Sequence, residues 1–378
     1  MYYFSQKIND SQSSAFAQHE FKNFESKYTN VDLFIIDEVE IDLVCNLVEN
    51  KQVVIYYADM PPENGLDVFF KIFNGHPEKT FYILTEFPGW ADLAQWPSNT
   101  HWIFYTFLGV DIASKYKNAN YLPDKNFDSE KIGISLNRMP RTHRLCSLSY
   151  MLGIGLDQDC VITAPLLPWY LSQSSNNLDI LNVVSWEFSE HDSFKKQMLK
   201  GWTRAKRGDG IFPVTVDAYA PYDQLAPIDT TLDNLYNYEN NLVPLYQNSF
   251  VEFVNFTIYD YELPCICEKL LNSQLGGNFP IFVAGKNTVK WLSQQGFDVF
   301  DDIVNHSYDR EDDPVLRMQK LIEDNRILLT NRDITKNLWI KNSYRFKNNF
   351  NWWNETSDKV LKASRETLNN LLITEHQC

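Results

Sequence analysis

IGISLNRMPRTHRLCSLSYMLGIGLDQDCVIT, residues 132–163, is the stretch whose reading settles the fold class. It opens on a short apolar run at 132–136, turns through 137–140, and continues from Arg141 to Leu152 with Leu145, Leu148 and Leu152 on one stripe. That stripe has the three-to-four-residue spacing of a helix buried on one side. A second apolar run, CVIT at 160–163, follows. A helical crossover returns the chain to the end of the sheet where it started, so the two strands lie parallel and the unit is βαβ.

The same rhythm recurs on both sides. Upstream, VDLFII (31–36), QVVIYYAD (52–59), TFYILTE (80–86) and HWIFYTF (101–107) read as strands, with room for helices at 38–51 and 65–73. These runs are apolar on both faces, the pattern of a parallel sheet covered by helices on both sides. Downstream, a strand is predicted at 250–254, a helix over 268–275 stopped at Gly276 and Gly277, and a strand at 280–284. A helix over 288–295 precedes Gly296, which stands where a left-handed cap belongs, and Asp313 before Pro314 opens another that runs to about Ile327. An amphipathic helix is expected over 357–373, carried by Leu361, Leu368, Leu371 and Leu372, and it should fold back on the body. Residues 164–243 lack periodicity and are expected to form long loops. The polar stretch 111–131, with Asn118, Asn120, Pro123 and Asp124, marks a boundary. The organisation read from the sequence is an N-terminal α/β domain over 1–125, a C-terminal α/β domain over 126–340 and a helical tail over 341–378.

Composition narrows the function classes. With 378 residues, 44% apolar and 22% charged, the chain can bury the cores of two domains, and its 15% aromatic content is read as rings in those cores. A net charge of −15 argues against nucleic acid as a main partner unless the cations are concentrated in one place. Of the scattered cysteines (Cys45, Cys146, Cys160, Cys265, Cys267 and Cys378) only Cys265 and Cys267 lie close, without a second pair or a neighbouring histidine to complete a zinc set. They read as reduced thiols. The N-terminus lacks a basic segment followed by an apolar one, and no run approaches the roughly 18 apolar residues of a membrane span, so a soluble cytoplasmic protein is expected.

Two clusters carry candidate chemistry. In ISLNRMPRTHRL (134–145), Arg138, Arg141, Arg144 and His143 crowd the turn and first helical turn after a strand. Free N–H groups and the positive end of the helix dipole point out of such a turn, and added guanidinium groups suit it to a diphosphate. The second cluster is Glu268 and Lys269 at the start of the next predicted helix, where a cation can meet phosphate and a carboxylate can accept hydroxyl hydrogens. A solvated basic turn is an equally open reading of the first cluster; an ordinary first-turn glutamate beside a surface lysine is the simpler reading of the second taken alone, and its pairing with the arginine turn shifts that. Asp157 and Asp159 have DxD spacing but follow a helix end and read as a turn; Gly153 and Gly155 lack the third glycine of a dinucleotide fingerprint. Lys286 lacks the upstream glycine of a phosphate loop, and the seven histidines show no zinc spacing. Tyr308, Asp309, Asp312 and Asp313 read as a loop organiser and helix cap.

The stretch SFVEFVNFTIYDYELPCICEKLLNSQLGGNFPIFVAG (249–285) resembles the donor region of fucosyltransferase-like GT-B glycosyltransferases, most closely those encoded by large tailed phages. The resemblance takes in the NRMPRTHR turn at 137–144, Glu268 and Lys269, Gly296 and Phe297 with Phe300, Ser307 to Asp309, Asp313 with Pro314, and Arg317. It spans 132–163 and 244–325. Cys267 stands where the family has threonine, and Phe256 where an acidic residue ends the preceding strand. The resemblance implies a GT-B-like α/β fold: two Rossmann-like parallel-sheet domains facing a cleft, with a C-terminal helical tail. It implies a metal-independent glycosyltransferase that moves a sugar from a nucleotide diphosphate sugar to a glycan or other hydroxyl acceptor, with the donor as substrate and no cofactor. Glu268 would face the donor's sugar or ribose, and Lys269 with Arg138, Arg141 and Arg144 its diphosphate. A carboxylate assisting the acceptor would come from the N-terminal domain, where Asp59 and Glu86 follow strands. Glu86 precedes the aromatic turn Phe87 to Trp90, suited to stacking on a sugar. The competing readings are a glycosyltransferase acting on modified phage DNA bases, a non-catalytic nucleotide- or sugar-binding module, and a virion-associated protein.

Overall fold

The computed structural model describes residues 3–4, 31–35, 52–57, 67–85, 95–104, 124–137, 141–173, 180–183, 186–213, 244–256, 259 and 268–374. The predicted helix at 38–51 and most of the boundary segment lie outside them.

The first sheet contains β1 (Tyr3–Phe4), β2 (Val31–Ile35), β3 (Gln52–Tyr57), β4 (Thr80–Thr85) and β5 (Thr100–Phe104), all parallel and in the order of the chain. Helix α1 (Asp67–Gly75) joins β3 to β4 and buries Phe69, Ile72 and Phe73 in the same cluster as Val53, Ile55, Phe81 and Ile83. Val54, Tyr82 and Leu84, on the opposite face, are buried as well. Both faces are therefore covered, as the unbroken apolar runs required. The strand order, however, always advances one way, and right-handed crossovers in such a sheet all land on one face. The reversal of a doubly wound sheet is absent among these described strands.

The second sheet does reverse. It contains β6 (Gly133–Leu136), β7 (Cys160–Thr163), β8 (Val251–Asn255) and β9 (Phe279–Val283), all parallel in the order β7-β6-β8-β9. Helix α2 (Thr142–Gly153) carries the chain from β6 out to β7. The region expected to be irregular then folds, within its described parts, into α3 (Leu167–Gln173), α4 (Ile180–Val183) and α5 (Asp192–Ala205). Helix α5 buries Phe194, Met198, Trp202 and Ala205, a helical stripe diluted in the sequence by lysines and by Gly201. That glycine is required. A Cβ at Gly201 would collide with the Ser149 carbonyl of α2, and one at Gly153 with the Gln197 carbonyl of α5, so the two helices touch backbone to backbone.

Helix α6 (Glu268–Gly276) joins β8 to β9, Gly277 takes the left-handed conformation that stops it (φ 63°), and α7 (Thr288–Gln294) follows β9. Helix α8 (Pro314–Glu323) starts as predicted: Asp313 Oδ1 accepts from the backbone N–H groups of Val315 (2.8 Å) and Leu316 (3.0 Å). It ends short of Ile327, and α9 (Arg326–Thr330), α10 (Arg332–Asn342) and α11 (Tyr344–Thr374) complete a helical C-terminal region. The last helix begins well before the predicted 357 and is fastened where it begins. Arg345 forks onto Asp298 (2.6 and 2.7 Å) and Asp302 (2.9 and 3.0 Å), Trp352 Nε1 donates to the Gln295 carbonyl at 2.7 Å, and Phe346 and Trp353 are buried. Helix α11 also contacts β5 of the first sheet. No helix among the described residues is long and apolar enough to cross a membrane.

Ahead of β6, Lys125 is only 7% exposed. Its ammonium donates to the carbonyls of Tyr246 (2.7 Å), Ser249 (2.6 Å) and Gly276 (2.7 Å) and to Asn278 Oδ1 (2.5 Å). Burial pulls its pKa well below the usual lysine range, and the Glu252 carboxylate opposes that pull.

Candidate functional site

Strand order decides where a ligand can sit. The chain leaves β6 towards β7 and leaves β8 in the opposite direction towards β9, so the crevice between the carboxyl ends of β6 and β8 is the reversal point of the sheet. The helices that follow these two strands, α2 and α6, start on that edge. In open α/β sheets this is the ligand crevice.

The start of α2 goes against ordinary helix electrostatics. Arg141 precedes the helix in extended conformation and its side chain makes no capping hydrogen bond, the first turn has no acidic residue, and His143 and Arg144 occupy that turn. Cations at a helix N-terminus oppose its dipole. Two of these side chains turn inward. Arg144 is 3% exposed, and its Nη2 donates to the carbonyls of Asn255 (2.9 Å) and Phe256 (3.2 Å). His143 is buried with Nε2 3.0 Å from the Phe256 carbonyl and its ring stacked on Tyr259 at 5.6 Å. A carbonyl only accepts, so Nε2 carries the proton and donates. Arg317 in turn lies 4.5 Å over Tyr259 and donates to its carbonyl at 2.7 Å.

Burial lowers the His143 pKa well below the ordinary value, Arg144 lowers it further, the Phe256 carbonyl opposes, and Arg141 and Lys269 add to the lowering. The histidine is therefore neutral. Lys269, on the first turn of α6, and Arg141, ahead of α2, both act on His143, although 128 positions of sequence separate them. Both are partly exposed.

Beneath this first turn lies a polar knot. The Nδ2 of Asn137 donates to the Ser135 carbonyl (3.2 Å) and hydroxyl (3.0 Å). Asn255 Nδ2 reaches the same hydroxyl (3.3 Å) and the carbonyls of Leu136 (3.3 Å) and Phe253 (3.1 Å). Asn137 and Asn255 are each 2% exposed, and among the described residues neither Oδ1 meets a donor. A buried acceptor left open costs about 1–3 kcal/mol.

Of the residues singled out in the sequence, Arg141, His143, Arg144 and Lys269 meet at this edge, with Arg144 committed to the backbone at the end of β8 rather than aimed outward. Arg138, Asp59, Glu86 and the turn Phe87 to Trp90 lie outside the described residues. Glu268 opens α6, but its side chain lies outside the description. Phe256, read as a departure from the family pattern, is buried, stacks on Phe282 at 6.0 Å and offers its carbonyl to both His143 and Arg144. Asn255 and Tyr259 were not singled out from sequence; their place depends on β8 lying beside β6, which no local periodicity reveals.

The remaining motifs are structural. Asp157 lies in the expected turn, a 3-10 turn over Leu156–Gln158, and takes a two-pronged ion pair from Arg204 (2.7 and 2.9 Å). Asp309 accepts from the N–H groups of Val289 (2.9 Å) and Lys290 (3.0 Å) at the start of α7, and Tyr308 Oη accepts from the Phe282 N–H at 2.9 Å. Cys146 and Cys160 are buried thiols outside any disulfide; the other cysteines lie outside the described residues. Among the described residues no group of three or more His, Cys, Asp or Glu side chains is arranged to hold a metal ion. No protein-family model matches the chain, and a comparison with curated proteins finds no match.

Proposed function

We propose that this chain is a GT-B-like glycosyltransferase that binds a nucleotide diphosphate sugar at the reversal point of the second sheet. The observation that carries the reading is that Arg141, ahead of α2, and Lys269, on the first turn of α6, both act on His143 at this edge. Two helix N-termini with two cations suit a diphosphate. In this reading the acceptor oxygen attacks the anomeric carbon, the bond from that carbon to the diphosphate oxygen breaks, and the acceptor proton passes to a carboxylate of the N-terminal domain, Glu86 or Asp59. Arg141, Lys269 and Arg138 neutralise the departing diphosphate, and Glu268 orients the donor. Arg144 and His143 act as positioning residues that bolt the start of α2 to the end of β8. A nucleotide-binding module without transfer activity is the second reading, favoured by the withdrawal of Arg144 from the crevice.

Titration calorimetry with GDP, UDP, ADP, CDP and dTDP tests the site. At least one nucleotide should bind the wild type, and Lys269→Ala or Arg141→Ala should weaken it about 10- to 100-fold, the loss of a charged hydrogen bond worth about 1.5–3 kcal/mol. Affinity for every nucleotide unchanged in both variants, or no binding at all, removes the diphosphate site. Turnover of the corresponding nucleotide sugar separates the enzyme from the binding module.

A further inference from the structure

We infer that the outer face of α10 is a docking surface for a second copy of this chain, the two α10 helices packing antiparallel about a two-fold axis at Asn337. Among the described residues six large apolar side chains are exposed, and four of them fall within 327–344: Ile327 (67%), Ile334 (43%), Ile340 (53%) and Tyr344 (63%). Ile334 and Ile340 lie on α10, and Ile327 and Tyr344 stand on the helices before and after it. The inner side of α10 is committed to its own chain. Thr335 is buried, Leu338 and Trp339 pack against the core, Arg332 donates to the Phe127 carbonyl at 2.6 Å, and Lys336 lies 5.0 Å over the Phe127 ring. The exposed positions of the helix are Asp333, Ile334, Asn337, Ile340 and Lys341, which share about 120° of its circumference.

That face is symmetric about Asn337. Three steps either way along the chain reach Ile334 and Ile340, and four steps reach Asp333 and Lys341. A two-fold contact between identical surfaces has this requirement, because where residue i meets j of the partner, j also meets i. With the helices antiparallel and crossing at Asn337, each copy's Ile334 meets the partner's Ile340, and each copy's Asp333 meets the partner's Lys341. Apolar groups then face apolar groups and each charge faces its opposite. A parallel pair would instead set carboxylate on carboxylate and ammonium on ammonium. Aspartate in the first turn and lysine in the last are what the helix dipole alone would favour. Two isoleucines facing water are not, and they stand where the partner's isoleucines arrive. A helix of 11 residues is about 16 Å long, so the pair buries less than the roughly 1,600 Å² of a standard interface and the dimer is a concentration-dependent one.

Sedimentation equilibrium of the full chain tests this, at about 0.15 M salt, where the −15 charge of each copy is screened beyond about 8 Å. Wild type should pass from monomer towards dimer between about 1 and 200 µM. Ile340→Glu, Asp333→Lys and Lys341→Asp should each weaken association by about tenfold or more, the first by setting a carboxylate in the apolar contact and the others by facing like charges across the axis. Charge reversal then fixes the register. The double variant Asp333→Lys/Lys341→Asp restores opposite charges in the homodimer, and an equimolar mixture of the two single charge variants restores them in the heterodimer, so both should regain association. All these positions are exposed, and a thermal midpoint close to that of wild type, measured where wild type is monomeric, reports that each variant is folded. Wild type that stays monomeric, species that grow beyond the dimer, a dimer that the single variants leave intact, or charge variants that neither the double substitution nor mixing rescues overturns the inference. Should the variants not fold, amide hydrogen exchange of wild type decides: exchange in 331–344 should slow as the dimer forms, and a dimer that leaves it unchanged overturns the inference too.

Discussion

Lys125 shares the three N–H bonds of one ammonium group among three carbonyls and an amide oxygen in the interior of the protein. Such a residue contributes chiefly through what its loss leaves behind. Lys125→Met would strand four buried acceptors, and a loss of roughly 3–5 kcal/mol is expected, read as a lower midpoint of urea unfolding. His306 supplies the pH dependence. Burial is the main cause that lowers its pKa to about 4, with the Val299 carbonyl and Asp301 opposing. The folded state then binds fewer protons than the unfolded chain between about pH 6.5 and 4, so stability is full above pH 6.5 and falls as the pH drops towards 4. His143, lowered for the same reason, acts in the same direction. Melting temperature followed across this window should fall in wild type, and His306→Gln should flatten part of the slope.

At the scale of elements, the contact between α2 and α5 has no room for a side chain. Gly201→Ala would press a methyl group into the Ser149 carbonyl and the Gly153 nitrogen, and a loss of about 1–3 kcal/mol in chemical unfolding is expected as the helices separate. The consequence reaches the site, because α2 carries His143 and Arg144 at its other end. The starts of α2, α6 and α8 were legible because their signals are local: an apolar stripe, a proline in the first turn, an aspartate ahead of it. Helix α5 was not. Its stripe of Phe194, Met198, Trp202 and Ala205 is interrupted by polar residues and a glycine that a lone helix would disfavour, and only the partner helix explains why Gly201 is there.

At the scale of the molecule, α11 ties the regions together: its first turns are locked to the loop after α7, and its length brings it to β5 of the first sheet. Phe346 is completely buried in this docking, packed 4.8 Å from Phe300 and 5.4 Å from Phe279. Phe346→Ala should cost about 3–5 kcal/mol, detected as a fall in the thermal unfolding midpoint. Phe346 belongs to a buried cluster that takes in residues of both sheets, among them Val53, Phe81, Val251 and Phe279, so the effect should not be confined to the tail.

The sequence by itself determined the α/β class, the parallel strands, the starts of α2, α6 and α8 and the basic turn at 137–144 as a place of interest. All of these depend on interactions within about ten residues, where periodicity and capping chemistry are written directly. Tertiary structure alone decided the strand order, and with it which loops face one another. Placing β8 beside β6 brought Lys269 to Arg141, turned Arg144 and His143 onto the carbonyl end of β8, and set Asn255 beside Asn137 with open acceptors. Those relations join residues more than a hundred positions apart, and their energies exist only once the sheet has formed.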